Sequence, residues 1–384
     1  MKFFCIAEHV GRTAPGIVYA TILNELVKYG EVELICPEIA TESISSQIKI
    51  IPCVNGYKDR RIIKYSLKVF GNSVLDWLWA RQELRNLKSH SFDDVDVIIT
   101  FTSMWHFKSL LLGEKLKDFS NNKWIIYSVD AIPAPLGWSR DYVIYQRYRR
   151  FISKRINKCD ALFSSNKQML HYQISMASEF KGFGGVLFTP IRDNKPHLQN
   201  STKKNNPVYL YTGGIYGPRK KEQLIDGFRL LLNEIPTAKL VFVGTSDSIF
   251  RDAQDLINKG ALIVHPYAND LSSFYNEATT LIDINAYFDN DVFLSSKIVN
   301  YLPLGKPIVS ITGNNSPSRN IFSEDPSILH SKNDANEILE SLRESTSIEV
   351  NMELRKQYID MFSASSIVNK FVEDIKCGVV GKKS

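Results

Sequence analysis

The chain reads as two doubly wound α/β domains joined by a polar linker. Short apolar runs alternate with amphipathic helical patterns along most of its length. The alternation runs twice, and the aperiodic stretch Arg192–Pro207, with two prolines, separates the rounds. A length of 384 residues suits two domains better than one.

The expected strands follow in order. In the first round they are 3–7, 32–36, 96–101, 124–129 and 161–165. The first is followed by the loop EHVGRTAPG, then by a helix with Ile17, Ala20, Leu23 and Val27 on one face. In the second round the strands are 208–212, 239–244, 261–265, 280–284 and 307–311. Near-continuous apolar strands between helices predict parallel sheets covered on both faces. The expected domains are 1–191 and 208–362, with the linker 192–207 between them and a last helix and tail over 363–384. Ligands of such sheets bind in loops at the carboxyl ends of the strands.

Composition excludes several classes. Hydrophobic residues at 44% and charged residues at 23% are ordinary for a globular chain. Cys5, Cys36, Cys53, Cys159 and Cys377 are odd in number and scattered, which argues against a disulfide framework and a zinc site. The opening apolar run stops at Glu8, too short for a secretory segment, and no run reaches the ~20 residues of a membrane span. A cytoplasmic setting is expected. The formal charge of +6 is uneven: residues 1–195 hold 27 Lys+Arg against 19 Asp+Glu, the remainder 20 against 22.

The stretch YTGGIYGPRKKEQL, 211–224, ends a strand and opens a helix whose buried face carries Leu224, Ile225, Phe228, Leu231 and Leu232. Gly213 and Gly214 allow a sharp turn, and Pro218 suits a first helical turn. Arg219 and Lys220 at a helix amino end oppose the helix dipole, so an anion such as a diphosphate is expected there. A solvated basic turn explains the stretch equally well.

A second stretch, VFLSSKIVNYLPLGKPIVSI (292–311), repeats the device. Ser295 or Ser296 caps a short helix, Lys297 lies in its first turn, and Gly305 and Pro307 end it. Two cation-bearing helix amino ends converging on one anion explain the pair better than an exposed lysine does.

The GG-x-YG-x-R-K loop followed by S-K-x-x-x-Y-L-x-x-G-K-P-I resembles the family-4 retaining glycosyltransferases of bacterial surface-polysaccharide type, which have the GT-B fold. The resemblance covers about 208–311 well and the first domain loosely, through DAIP at Asp130–Pro133. It implies two Rossmann-like domains facing each other across a cleft, the first for the acceptor and the second for the donor, and a last helix that crosses back. It implies transfer of a sugar from a UDP- or GDP-sugar with retention of configuration and without a metal or other cofactor. The acceptor would be a glycan or a polyprenyl-diphosphate-linked glycan.

By position, Lys220 falls where the family holds the diphosphate, with Arg219 sharing the task, and Ser296 and Lys297 fall on the second phosphate and sugar loop. The family's Glu-x7-Glu motif is absent: its second glutamate falls at Asn300, which can still bond a ribose, and its first at Val292. A carboxylate near the sugar must then come from Asp291 or Asp289. The loop after 261–265 corresponds to the family's base-binding loop, with Tyr267 or His265 able to stack.

On the acceptor side, Gly11 and Gly16 allow close approach, and Arg12 can supply charge or lie free on the surface. Thr102, Ser103 and His106 follow a strand and would face the cleft, although a lone histidine among aromatics, like His9, is more often structural. Asp130 either caps the next turn or binds the acceptor. Trp138, after Pro133 and Pro135, is either a shelf for a sugar ring or simple packing.

The basic excess is densest in Tyr57–Lys68 and Arg140–Lys158. The second, with Tyr145, Tyr148, Ile152 and Ile156 near one face, can lie on an anionic inner membrane surface or form a solvated face. No nucleic-acid module accompanies it. Rival readings are a catalytically silent GT-B partner that binds nucleotide or glycan and a sugar-nucleotide epimerase.

Overall fold

The computed structural model describes residues 1–56, 59–138, 141–192 and 206–381, with only the backbone of Arg60. Most of the expected linker, along with Tyr57, Lys58 and Arg140 of the basic stretches, lies outside the described residues. Two compact units form: Met1–Pro190 together with the segment from Phe362 onward, and Ile191–Met361. Pro190 and Phe362 stand one residue before the expected 191 and 363, while the second unit's span starts at Ile191 and so takes in the stretch 192–207 expected as a separate linker.

The first unit contains β1 (Lys2–Ile6), β2 (His9–Val10), α1 (Ala14–Leu26), β3 (Glu31–Ile35), β4 (Glu38–Ile39) and β5 (Lys49–Ile51). These are followed by α2 (Arg60–Phe70), α3 (Val74–Asn86), β6 (Val97–Thr102), α4 (Phe107–Ser120) and β7 (Lys123–Ser128). The unit's continuous part closes with α5 (Tyr142–Ile156), β8 (Ala161–Ser164), α6 (Lys167–Ile174) and β9 (Phe183–Val186). Its main sheet is parallel, in the order β5-β3-β1-β6-β7-β8-β9. β1 shows why the strands read as unbroken apolar runs. Phe3 and Cys5 enter one core with α1, while Phe4 and Ile6 enter the opposite core with α4 and α5.

The second unit contains β10 (Val208–Thr212), α7 (Glu222–Glu234), β11 (Lys239–Val243), α8 (Gln254–Asn258), β12 (Leu262–His265), α9 (Ser272–Glu277) and β13 (Thr280–Ile284). It continues with α10 (Ser296–Tyr301), β14 (Ile308–Ile311), α11 (Pro317–Ile321), β15 (Ile328–Ser331), α12 (Ala335–Glu344) and α13 (Met352–Met361). The order is β12-β11-β10-β13-β14-β15, again all parallel. α13 is anchored by the fully buried Arg355, whose Nε lies 2.7 Å from Asp325 and whose Nη2 donates to Ser327 Oγ at 2.6 Å.

The last helix, α14 (Ala364–Ile375), belongs to the first unit. Ile367, Val368, Phe371, Val372 and Ile375 complete the α1 core, with the Phe371 ring edge-on to Phe163 at 4.6 Å.

Besides the short pair β2 and β4, three strands of the main sheets, β5, β9 and β15, lie outside the apolar runs. Each is an edge strand with one neighbour, so it need not be apolar on both faces. Helix α5 corrects the bilayer expectation for 140–158. Tyr145, Tyr148, Phe151, Ile152 and Ile156 are buried, and Arg155 is turned inward onto Glu114 at 2.9 Å. The apolar face of α5 is thus spent on the protein's own core. Among the described residues no helix is long and apolar enough to cross a membrane.

Candidate anion site

Strand order reverses beside β10 and β13, so the loops leaving these strands flank the switch point of the second sheet. After β10, Gly213 adopts φ +97°, donates its N–H to Val243 O at 2.7 Å and accepts the Thr245 hydroxyl at 2.6 Å. A Cβ at this position would stand 3.0 Å from Lys297 Cε, so the missing side chain makes room for the lysine stem. Gly214 accepts the Tyr211 hydroxyl at 3.0 Å through its carbonyl.

The loop then departs from the expected geometry. Gly217 turns at φ +64°, and Arg219 forms an isolated antiparallel bridge with Ala286, just past β13. α7 therefore begins at Glu222 rather than at Pro218, and Arg219 and Lys220 precede the helix. The cation at the helix cap is Lys221, which is buried and neutralised by Asp252 at 2.7 Å. The other helix of the expected pair, α10, has only six residues. The positive charge converges through side chains, not through two helix ends.

Those side chains are Arg219 and Lys297. Ser295 caps α10 by accepting the Lys297 N–H at 3.2 Å, and donates its hydroxyl to Asp283 at 2.7 Å. Asp283, buried in β13, also accepts from Asn285 at 2.8 Å and Ser310 at 3.3 Å. Its oxygens are thus occupied by neutral donors. The Lys297 ammonium lies 5.2 Å from the Tyr211 ring centre. Burial first, and then the nearby Arg219, push its pKa down to about 8; Asp283 pulls the other way and Arg192 adds to the lowering. The Arg219 guanidinium stacks on Tyr216 at 4.6 Å, while its Nε and Nη1 are buried without a hydrogen-bond partner. Among the described residues neither cation has a carboxylate partner within ion-pair distance. Two crowded cations with unused N–H groups are costly alone and suit an oxyanion.

Other expected residues fall differently. Lys220 and Ser296 are exposed. Asn300 is committed on both sides of its amide: its Oδ1 accepts the Arg192 N–H at 3.0 Å, and its Nδ2 donates to Ser296 O at 2.7 Å. It holds the Arg192 backbone near the cations. Arg192 itself, hidden in the linker composition, carried no sequence signal. Asp291 is buried, with Oδ1 accepting the N–H groups of Val292 at 2.8 Å and Phe293 at 3.3 Å, which fixes the loop; Asp289 is exposed. Tyr267 is 79% exposed, while His265 packs edge-on to Phe274 at 4.9 Å.

In the first unit the switch point lies between β1 and β6. His9 and His106, each following one of these strands, meet Nε2 to Nε2 at 2.8 Å. Thr13 Oγ1 lies 2.6 Å from His9 Nδ1, and Ser103 Oγ lies 3.1 Å from His106 Nδ1. Thr102 and Ser103 are buried, with Thr102 bonding to His106 O at 3.2 Å, so they serve the loop and do not face outward. The space over the loop glycines is likewise filled from within. A Cβ on Gly11 would meet Ser43 Oγ at 2.0 Å, and one on Gly16 would meet His9 Nδ1 at 3.1 Å. Arg12 is exposed. Asp130, at the end of β7, accepts the Ser128 hydroxyl through its carbonyl. Trp138 is half-buried in a turn, its N–H bonded to Pro135 O at 3.1 Å.

Beneath this loop, Lys108 sits between two buried carboxylates, 3.0 Å from Asp76 and 3.7 Å from Glu8. Burial drives the Glu8 carboxyl strongly upward, as expected where one ammonium serves two acids.

No protein-family model and no functionally described protein sequence matches the chain. Solved structures do. HepE of Anabaena, in complex with UDP and glucose, is 12% identical with a TM-score of 0.65, over 98% of this chain and 100% of that one. A glycosyltransferase from Rickettsia africae is 12% identical with a TM-score of 0.68, over 100% and 99%. The lipopolysaccharide outer core galactosyltransferase WaaB is 14% identical with a TM-score of 0.64, over 98% and 99%. These likenesses establish the fold: two doubly wound Rossmann-like units of GT-B type.

Proposed function

We propose that this chain is a glycosyltransferase that takes a sugar from a UDP- or GDP-sugar and passes it to a glycan or lipid-linked glycan acceptor. The carrying observation is the uncompensated pair Arg219 and Lys297 at the switch point of the second sheet. A nucleoside diphosphate supplies the oxygens that its N–H groups lack and the charge that both cations lack. The HepE structure with UDP and glucose, and the two transferases of the same fold, support this reading.

The mechanism follows from where charge develops. As the bond from the sugar to the diphosphate breaks, negative charge grows on the leaving oxygen. Arg219, Lys297 and the exposed Lys220 stabilise it, so the reading needs no metal. The acceptor hydroxyl attacks from the face the diphosphate leaves, its proton passes to the departing oxygen, and configuration is retained. The loops of the first unit that carry Arg12, His106, Asp130 and Trp138 serve the acceptor, and Asp291 keeps the sugar loop in shape.

Calorimetry with UDP, GDP, CMP, ADP and their sugar conjugates tests the first step, and sugar transfer to a glycan acceptor tests the second. The expected result is preference for one nucleoside diphosphate, lost in Arg219→Met, and donor turnover that depends on acceptor. Nucleotide binding without transfer or donor hydrolysis would instead identify a silent partner. Epimer formation without acceptor would identify an epimerase.

A further inference from the structure

We infer that the face formed by α2 and α3 docks on an anionic lipid bilayer. α2 turns Ile63, Ser66 and Leu67 inward and leaves Ile62, Tyr65, Val69 and Phe70 exposed at 45%, 67%, 48% and 66%. Val74 and Leu78 of α3 extend the row. Lys68 Nζ lies 3.7 Å from Asp141 Oδ2, which brings the exposed Tyr142 and Val143 of α5 beside the end of α2. Eight of the seventeen exposed large apolar side chains of the described residues thus belong to α2 and to the two helices that pack beside it, α3 and α5. Such concentration marks an interaction surface.

Charge selects the partner. Between residues 60 and 88 the exposed cations are Arg61, Lys64, Lys68, Arg81, Arg85 and Lys88. The acids of the same span, Asp76 and Glu83, are buried. Asp76 bonds to Ser73 at 2.5 Å and pairs with Lys108, while Glu83 accepts the Val54 N–H at 2.9 Å and the Asn86 amide at 3.2 Å. Of the acids flanking this face, the exposed Asp59 and the half-buried Asp141 cap α2 and α5, and the exposed Asp93, Asp94 and Asp96 follow only after α3 has ended. The face therefore presents apolar side chains beside cations. A second copy of the chain would oppose like charges, whereas anionic headgroups over acyl chains complement both components. This inference is independent of the nucleotide-sugar reading.

The test is co-sedimentation of the full chain with vesicles of phosphatidylglycerol and phosphatidylcholine, and with phosphatidylcholine alone, at low and high salt. Binding is expected to the anionic vesicles only and to weaken with salt. Arg61→Gln with Lys68→Gln should lower partitioning about 25-fold, at roughly fivefold per cation. Tyr65→Ser with Phe70→Ser should lower it at least as far, with an unchanged thermal unfolding midpoint. Arg150→Gln with Lys154→Gln, on α5, should leave it unchanged. Absence of binding, equal binding to neutral vesicles, or loss only in the α5 variant would overturn the inference. So would soluble dimers that Tyr65→Ser with Phe70→Ser breaks apart.

Discussion

Replacing Lys297 with methionine should make the free protein more stable and its grip on a nucleoside diphosphate weaker. The ammonium is buried beside Arg219 and its pKa falls from 10.5 to about 8. That fall amounts to about 3 kcal/mol held against the folded state, at 1.36 kcal/mol for each tenfold change. Because the folded-state value lies below the unfolded one, the penalty is fully present below pH 8. It fades as pH rises toward 10.5, since only the unfolded chain still holds the proton there. The methionine variant should therefore gain stability at pH 7 and little at pH 10, as read by thermal unfolding. Methionine also retains an unbranched stem in the space above Gly213. The same substitution removes a charged contact to phosphate, worth about 1.5–3 kcal/mol, or roughly 10- to 150-fold in Kd. In the wild type, UDP affinity measured by calorimetry should decline between pH 7 and 9 by up to about tenfold per pH unit above 8, and the variant should be flat there. A variant less stable at pH 7, or one with wild-type UDP affinity, would refute the picture of an anion site strained by its own cations.

Arg219→Met should weaken UDP binding by a similar factor, roughly 10- to 150-fold, whereas Lys220→Ala should spare affinity for the intact UDP-sugar and cut turnover about 10²–10³; steady-state kinetics beside calorimetry separates the two. Arg355→Met should cost about 3–5 kcal/mol by stranding the buried Asp325, and Asp325→Leu added to it should recover most of that loss in urea unfolding. Phe371→Ala should cost about 3–5 kcal/mol, read from the unfolding of the first unit, because it empties the α14 side of that core.

Much of the fold was legible because buried parallel strands must be apolar on both faces. Runs such as 97–102 and 280–284 therefore announced themselves, as did the Gly305 stop, which takes φ +59°. Three of the four edge strands of the main sheets, β5, β9 and β15, escaped because that requirement is relaxed; FGGV in β9 resembles a loop. Lys297 was visible from its Ser cap and from the motif around it. The start of α7 was not, because a bridge between Arg219 and Ala286 straightens the chain where local preference favours a helix. The bond between Asn300 and Arg192 was hidden for a related reason: it spans 108 positions. The basic stretches showed charge but not direction. Only the packing reveals that α5 turns Tyr145, Tyr148 and Phe151 inward while α2 leaves Tyr65 and Phe70 outside.

The return of the C-terminal helix gives the chain an order of completion. As it emerges from the ribosome, the middle portion has all its strands and helices in hand once residue 361 has passed the exit. The portion made first must wait for residue 375 before its inner layer can close. The second-made body can thus mature ahead of the first-made one, whose α1 side stays uncovered until Ala364–Ile375 arrive.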